Sequence, residues 1–269
     1  MRTPNTGSVA PRLIDFPPSA GLDGCDVARS PNRRALTGLA TLSALAFTTH
    51  AAPALTSIGP LRSALWPRLA GIGAQGGVAL TFDDGPHPDG TPAVLAGLAE
   101  LGWSATFFLL GSQVALYPDA ARAIIAAGHE VAVHGFDHRN HLGRRPSAIA
   151  ADLRRANDLI NDVTQVRARW FRPPYGVLSA GSIQAAGVCG LNPLLWTAWG
   201  RDWTKTTPSE VAATVVRGLR DGGTILLHDS DCTSATDSWR NTVRSLPIIA
   251  SQIIDQGWTV RTVAEHLGV

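Results

Sequence analysis

The sequence predicts one α/β domain built on a parallel sheet, with strand and helix alternating about seven times. Three observations carry this expectation. Short β-rich runs alternate with helical runs from about Gly76 to the C-terminus, and repeated strand–helix units imply a parallel sheet with helical crossovers. A chain of 269 residues with 45% hydrophobic content is long enough to bury one large core, and α/β barrels of this length are commonly a single domain. No internal repeat is visible, which argues against a solenoid.

The elements follow in order. "GVALTFD" is a short β-rich run, "TPAVLAGLAELG" a helix with Thr91 as N-cap and Gly102 as stop, and "SATFFLL" a second strand. "DAARAIIAAG" reads as helix, "HEVAVH" as strand, "PSAIAADLRRANDLINDVT" as a long helix opened by Ser147, and "ARWFR" as a strand before "PPYG". "SAGSIQAAGV" is helical, "PLLWTAW" extended, "SEVAATVVRGLR" helical with Ser209 as cap, and "GTILLHD" a strand after a Gly-Gly turn. Helix "SLPIIASQIIDQ", strand "WTVRT" and a turn close the chain.

Upstream, the composition changes. Residues 1–34 carry Pro, Gly, Ser and scattered charge without periodicity, a disordered and basic composition. Residues 35–61 are uncharged and follow Asn32-Arg33-Arg34; with the Ala-x-Ala sites Ala44-Leu45-Ala46 and Ala52-Pro53-Ala54 they fit an export signal of the twin-arginine kind. The run is also long enough to anchor in a bilayer, although Gly38, Pro53, Gly59 and Pro60 weaken that reading, and a packed terminal helix is the third option. Residues 62–75 read as a linker and 76–269 as the domain. The expected location is secreted or attached to the cell envelope.

Charge and cysteine content exclude other classes. The net charge of +2 lies in the first 34 residues, where five Arg face three Asp, and the rest of the chain is balanced. A neutral body lacks the clustered Lys and Arg of a nucleic-acid groove. Cys25, Cys189 and Cys232 have no zinc-ribbon spacing and read as incidental thiols, a Cys189–Cys232 bridge being the lesser alternative.

The chemistry gathers at strand ends. Asp83-Asp84 ends the first strand, His134 the third, Arg172 follows the fourth, Asp202 follows "LLWTAWG", and His228 ends "TILLH". In a parallel barrel such positions converge on the face where active sites are built. His134 and His138 stand at i and i+4, so a helical turn after the strand would put both imidazoles on one face, able to grip one ion. With a carboxylate from the doubled acid they form a two-His-one-carboxylate set suited to Zn²⁺ or another divalent first-row ion. One Asp would bind the ion and its neighbour would take a proton from the activated water.

"TFDDGP", "HxxxH", "RPPYG", "RDW" and "LLH", in this order, resemble the NodB-homology polysaccharide deacetylases of carbohydrate esterase family 4. The resemblance spans about Gly76 to Leu267. It implies an α/β fold of the distorted (β/α) barrel type with about seven parallel strands, and metal-dependent removal of acetyl groups from amino sugars, with cell-wall peptidoglycan or chitin-like oligosaccharides as the glycan partner. Carried over by position, Asp83 is the general base, and Asp84, His134 and His138 bind the metal, Zn²⁺ with Co²⁺, Ni²⁺ and Mn²⁺ as alternatives. Arg172 orients the base, and Tyr175 offers its backbone N–H to the oxyanion. His228 is the general acid tuned by Asp202, and Trp203 and Leu226 wall the acetyl methyl pocket. The chain departs from the family pattern at Gly135, where Ser or Thr is common, at Trp199, where an acid often stands, and in "LHDSDCTSATDSW", a polar stretch expected to form a lid or substrate edge. A monomer is expected. An O-acetyl esterase of the xylan type and a silent glycan-binding module are the alternatives; a serine hydrolase is disfavoured because no GxSxG is present.

Overall fold

The computed structural model of the protein describes residues 48–269. Eight strands form one sheet: β1 (Gly77–Asp83), β2 (Thr106–Leu109), β3 (Glu130–Val133), β4 (Trp170–Phe171), β5 (Asn192–Pro193), β6 (Ala198–Trp199), β7 (Thr224–His228) and β8 (Thr259–Arg261). Seven of them run in the order β5-β4-β3-β2-β1-β7-β6, with β8 paired to the start of β1. Every pairing is parallel, as the strand–helix alternation requires. The helices are α1 (Gly59–Leu65), α2 (Gly90–Leu101), α3 (Gly111–Leu116), α4 (Pro118–Ala126), α5 (Pro146–Thr164), α6 (Ala180–Val188), α7 (Pro208–Gly218), α8 (Ser238–Asp255) and α9 (Val263–Leu267).

Alternation along the strands separates two apolar layers, because successive side chains in a strand point to opposite faces. Val78, Leu80 and Phe82 of β1 pack outward with Phe107, Leu109, Val131 and Val133 beneath the helices. Phe82 stacks on Phe107 with ring centroids 5.1 Å apart. The helix α5 meets this layer through Ile149, Leu153, Ala156 and Ile160, a stripe at helical spacing. The opposite face carries Ala79, Phe108, Ala132, Trp170 and Leu194, closed by Val263. Ala79, Thr81 and Asp83 share a strand face, so β1 directs Thr81 and Asp83 into this interior.

The sheet curls. Three strand spacings of about 4.8 Å would separate β1 from β4 in a flat sheet, yet Arg172, directly after β4, contacts Asp83 at 2.6 Å. The register sets the rim: Asp83 is opposite both His228 and Phe108, and Val133 is opposite Phe171, so His134 and Arg172 leave their strands at the same end. The result is the distorted (β/α) barrel expected from the sequence.

Local expectations differ in instructive places. Helix α2 starts one residue before Thr91, whose hydroxyl accepts from His87 N–H and donates to Asp229 instead of capping. Helix α5 begins at Pro146 with Arg145 as N-cap, and not at Ser147, because Pro is preorganised for the first helical position. In α7 the cap is Thr207, in a reciprocal box with Glu210, two residues before Ser209. Gly102 does end α2, at φ 63°. The extended "PLLWTAW" divides between β5 and β6 because the Leu194 and Leu195 carbonyls turn to accept from Arg172. Helix α3 was not anticipated.

The stretch 62–75 is not a free linker. Arg62 is buried, donates to the carbonyls of Thr56 and Trp196, and lies over the Trp196 ring. Gly73 N–H donates to Gly222 O and Ala74 N–H to His266 O. The folded unit therefore begins before Gly76. Residues 1–34 and the part of the expected export segment up to residue 47 lie outside the described residues; among those described, no helix is long and apolar enough to cross a membrane. Cys189 and Cys232 are both free thiols, and Cys25 lies outside the described residues.

Candidate active site

A cavity of about 190 Å³ opens at the carboxyl ends of the strands. Its lining includes Asp83, Asp84, His134, His138 and His228, together with Tyr175, Trp203 and Leu226. Arg172 and Asp202 stand directly behind it, fully buried, each bonded to a lining residue. Every site residue named from the sequence is thus in one constellation.

Asp83 is held by Arg172. The guanidinium Nη1 donates to Asp83 Oδ1 at 2.6 Å and to Thr81 Oγ1 at 2.9 Å, Nη2 donates to Leu195 O at 3.1 Å, and the carbon lies 4.0 Å from the Phe108 ring centre. Such a buried cation is acceptable only with its charge paired and its donors used. Burial lowers the Arg172 pKa and the Asp83 carboxylate counters that effect.

Asp84 faces the other way. Its backbone adopts φ 74°, a left-handed conformation uncommon outside glycine. Its Oδ1 lies 3.3 Å from His134 Nε2 and 3.6 Å from His138 Nε2. The three ligand atoms lie within 4.8 Å of one another. His134 Nδ1 is 2.9 Å from the Arg172 carbonyl, which can only accept; the proton therefore sits on Nδ1 and Nε2 presents a lone pair. Burial, with the neighbouring His134 adding to it, lowers the His138 pKa to about 4, so at neutral pH this ring is also an uncharged ligand. Burial pushes Asp84 up, but the electropositive surroundings set by the His134, His228 and His138 imidazoles outweigh it and hold the carboxyl below its ordinary range. Asp84 Oδ1 is buried without a hydrogen-bond partner. A carboxylate oxygen with no donor, facing two imidazole lone pairs, is a donor set that fits a divalent cation.

The i, i+4 spacing works here through a different geometry from the helical turn expected. Residues 134–138 are not helical; Gly135 at φ 104° reverses the chain and brings the imidazole centroids to 5.2 Å. At this φ a side chain is strained, a cost that glycine avoids.

Opposite the acids, His228 Nδ1 is 2.9 Å from Asp202 Oδ1, while Asp202 Oδ2 accepts from the His228 backbone N–H at 2.7 Å and from Thr242 Oγ1 at 2.7 Å. Burial acts to lower the His228 pKa; the Asp202 carboxylate outweighs it, and Asp84 and Asp83 add to the effect, raising it to about 9. His228 therefore carries a proton at neutral pH with Nε2 free to donate. The Trp203 ring stands edge-on to it, 5.4 Å between centroids. Tyr175, at φ 62°, sets its ring against His138 at 4.4 Å and is largely exposed at the mouth.

Trp196 lines the cavity without a role read from the sequence, whereas Trp199 and the polar stretch after His228 stand out there already. Trp196 stacks on Trp199, and Trp199 packs on Trp203, forming an aromatic wall. Thr233 and Ser234, in the polar stretch after His228, also reach the cavity. His87 caps the start of α2 through Nδ1 and pairs with Asp231, and His141 stacks on Phe171; both are structural.

Residues 71–194 match the polysaccharide deacetylase family. A chitooligosaccharide deacetylase of Bradyrhizobium sp. (strain ANU 289) is 32% identical over 196 residues, 70% of this chain and 89% of that protein. The chain belongs to the polysaccharide deacetylase family. The peptidoglycan-N-acetylglucosamine deacetylase PgdA of Listeria monocytogenes serotype 1/2a (strain 10403S) is 31% identical over 191 residues, 71% of this chain but 39% of that longer protein. Among solved structures, a CE4 family pseudoenzyme from Bacillus anthracis superposes with a TM-score of 0.65 at 26% identity, covering 71% of this chain and 65% of that one. The fold is thus shared with a protein described as a pseudoenzyme, so the side chains in the cavity decide what this member of the family can do.

Proposed function

We propose that this chain is a metal-dependent hydrolase that removes N-acetyl groups from amino-sugar glycans of the chitin-oligosaccharide or peptidoglycan type. One observation carries the reading: an acid paired with Arg172, a histidine paired with Asp202 and a three-residue set able to hold a metal face one another across a single cavity. A silent binding module has no use for all three.

Asp84, His134 and His138 would hold the ion, most simply Zn²⁺, with Co²⁺, Ni²⁺ or Mn²⁺ as alternatives. Bound there, a divalent ion supplies a Lewis acid for the acetyl carbonyl and lowers the pKa of water toward about 7. The protein's own residues manage the protons. Asp83, fixed by Arg172, accepts one from the attacking water, and His228 gives one to the departing sugar nitrogen as the C–N bond breaks, leaving acetate and a free amine. An amine is a poor leaving group unless protonated, and a histidine held charged by a buried carboxylate meets that need. The Tyr175 backbone N–H is the donor for the developing oxyanion, and Trp203 and Leu226 enclose the methyl group.

The uncharged segment 35–61 after Arg33-Arg34 supports export, cleaved or anchored, to the envelope where such glycans occur, and we take the working form to be a monomer. Acetate release from matched N-acetylated and O-acetylated glycans tests the assignment. The proposal expects N-acetyl amino-sugar oligomers to be preferred; release from O-acetyl xylan alone would replace it with an esterase.

A further inference from the structure

We propose that Thr233 is a positioning residue for the metal site, orienting the Asp84 carboxylate so that Oδ1 faces the two histidines. The inference rests on the reading of Asp84, His134 and His138 as metal ligands. Thr233 Oγ1 donates to Asp84 Oδ2 at 2.5 Å. Asp84 Oδ1, the other oxygen, is the one without a partner and lies toward His134 and His138. One oxygen is therefore tied and its twin is directed at the ion position. Without a donor on Oδ2 the carboxylate can turn about its last torsion, which is broad for aspartate.

Thr233 can serve because its loop is fixed. Asp231 pairs with His87 Nε2 at 3.2 Å and accepts from the Asp237 N–H at 2.7 Å. Ser234 N–H donates to Asp231 O, and Ala235 N–H donates to Trp203 O. Cys232 Sγ donates to the Asp84 carbonyl at 3.4 Å, so the same loop also touches the left-handed backbone of Asp84. The polar stretch after His228 thus acts on the ligand carboxylate itself. This is a contribution of the 229–237 segment that none of the sequence motifs records.

The test compares wild type with Thr233→Val, Thr233→Ala and Thr233→Ser by competition for Zn²⁺ against a chelator of known affinity, with thermal melts as a folding control. Residue 233 is exposed on its outer side, so these changes leave the fold intact. Loss of the hydroxyl in Val and Ala should weaken Zn²⁺ binding about 10-fold or more, the usual consequence of removing a hydrogen-bond partner of a ligand, and Ser should restore it. Wild-type affinity in both Val and Ala would overturn the role of Thr233, as would a Ser variant as weak as Ala. A wild-type protein that binds no Zn²⁺ would instead overturn the metal-site reading and this inference with it.

Discussion

Replacing Asp202 by Asn isolates the charge that keeps His228 protonated. Asp202 lies fully buried, and its carboxylate raises the His228 pKa, against burial, to about 9. In Asp202→Asn the amide oxygen can still accept from the His228 backbone and Thr242, while its NH₂ faces His228 Nδ1 and favours the neutral imidazole. Burial is then opposed only by the smaller pull of Asp84 and Asp83, and the pKa falls toward the free value of about 6.5. At pH 8 a group of pKa about 9 is about nine-tenths protonated, whereas one at about 6.5 is about 3% protonated, so kcat/KM on an N-acetyl substrate should drop about 30-fold from protonation alone. At pH 5.5 the two enzymes should differ far less. A bound divalent ion moves both profiles toward lower pH and leaves their separation, about 2 units. The stability linkage has the same origin. A raised histidine pKa contributes stability that is complete below about 6.5 and is lost as pH rises through about 9, so wild type should lose more stability over that window than the variant. The assay is kcat/KM against pH for both proteins at saturating metal. Superimposed alkaline limbs would refute His228 as the acid controlled by Asp202.

Three further outcomes are expected. Asp83→Asn should retain the metal and lose activity by about 10² or more, because an amide cannot take the proton; it should also lose about 3–5 kcal/mol of stability, since Arg172 is left as a buried cation without its counter-charge. Unchanged amide hydrolysis would reject Asp83 as the base. His228→Ala should damage hydrolysis of an N-acetyl amino sugar far more than that of an activated aryl acetate, whose leaving group departs as a stable anion, and equal losses on both substrates would count against the acid role. Intact mass of protein recovered from the envelope should show a start after residue 46 or 54 if the 35–61 segment is a cleaved signal, whereas a full-length chain in the membrane would identify an anchor and a full-length cytosolic chain would reject export.

The succession of strands and helices and the gathering of the site residues are legible in the sequence because each rests on local pattern. Apolar runs ending in Asp83, His134 and His228 put chemistry at strand ends, and a parallel sheet brings those ends together. What escaped the sequence depends on contacts between distant segments. Thr91 reads as a cap, but its hydroxyl is committed to Asp229, more than a hundred residues on. Arg62 reads as the start of a linker until Trp196 and Thr56 are seen to accept from it. The division of "PLLWTAW" follows from Arg172 reaching back to Leu194 and Leu195, which no propensity encodes. Thr233 sits in a polar stretch whose composition signals a loop, and only the fold reveals that the loop returns to Asp84. The i, i+4 spacing of His134 and His138 points to a helical turn that the backbone does not form; Gly135 supplies a reversal at positive φ in its place and still brings the two rings together.

The central claim is that Asp84, His134 and His138 hold a divalent ion on which amide hydrolysis depends. Acetate released from N-acetylglucosamine oligomers should be measured on the purified protein as isolated, after stripping with a chelator, and after reloading with Zn²⁺ or Co²⁺, beside His138→Ala carried through the same steps with elemental analysis. The account predicts one ion per wild-type chain, loss of acetate release on stripping, recovery on reloading, and neither ion nor activity in the variant. Undiminished release from a fully stripped wild-type protein, or a folded wild type that takes up no ion from excess Zn²⁺ or Co²⁺, would contradict it.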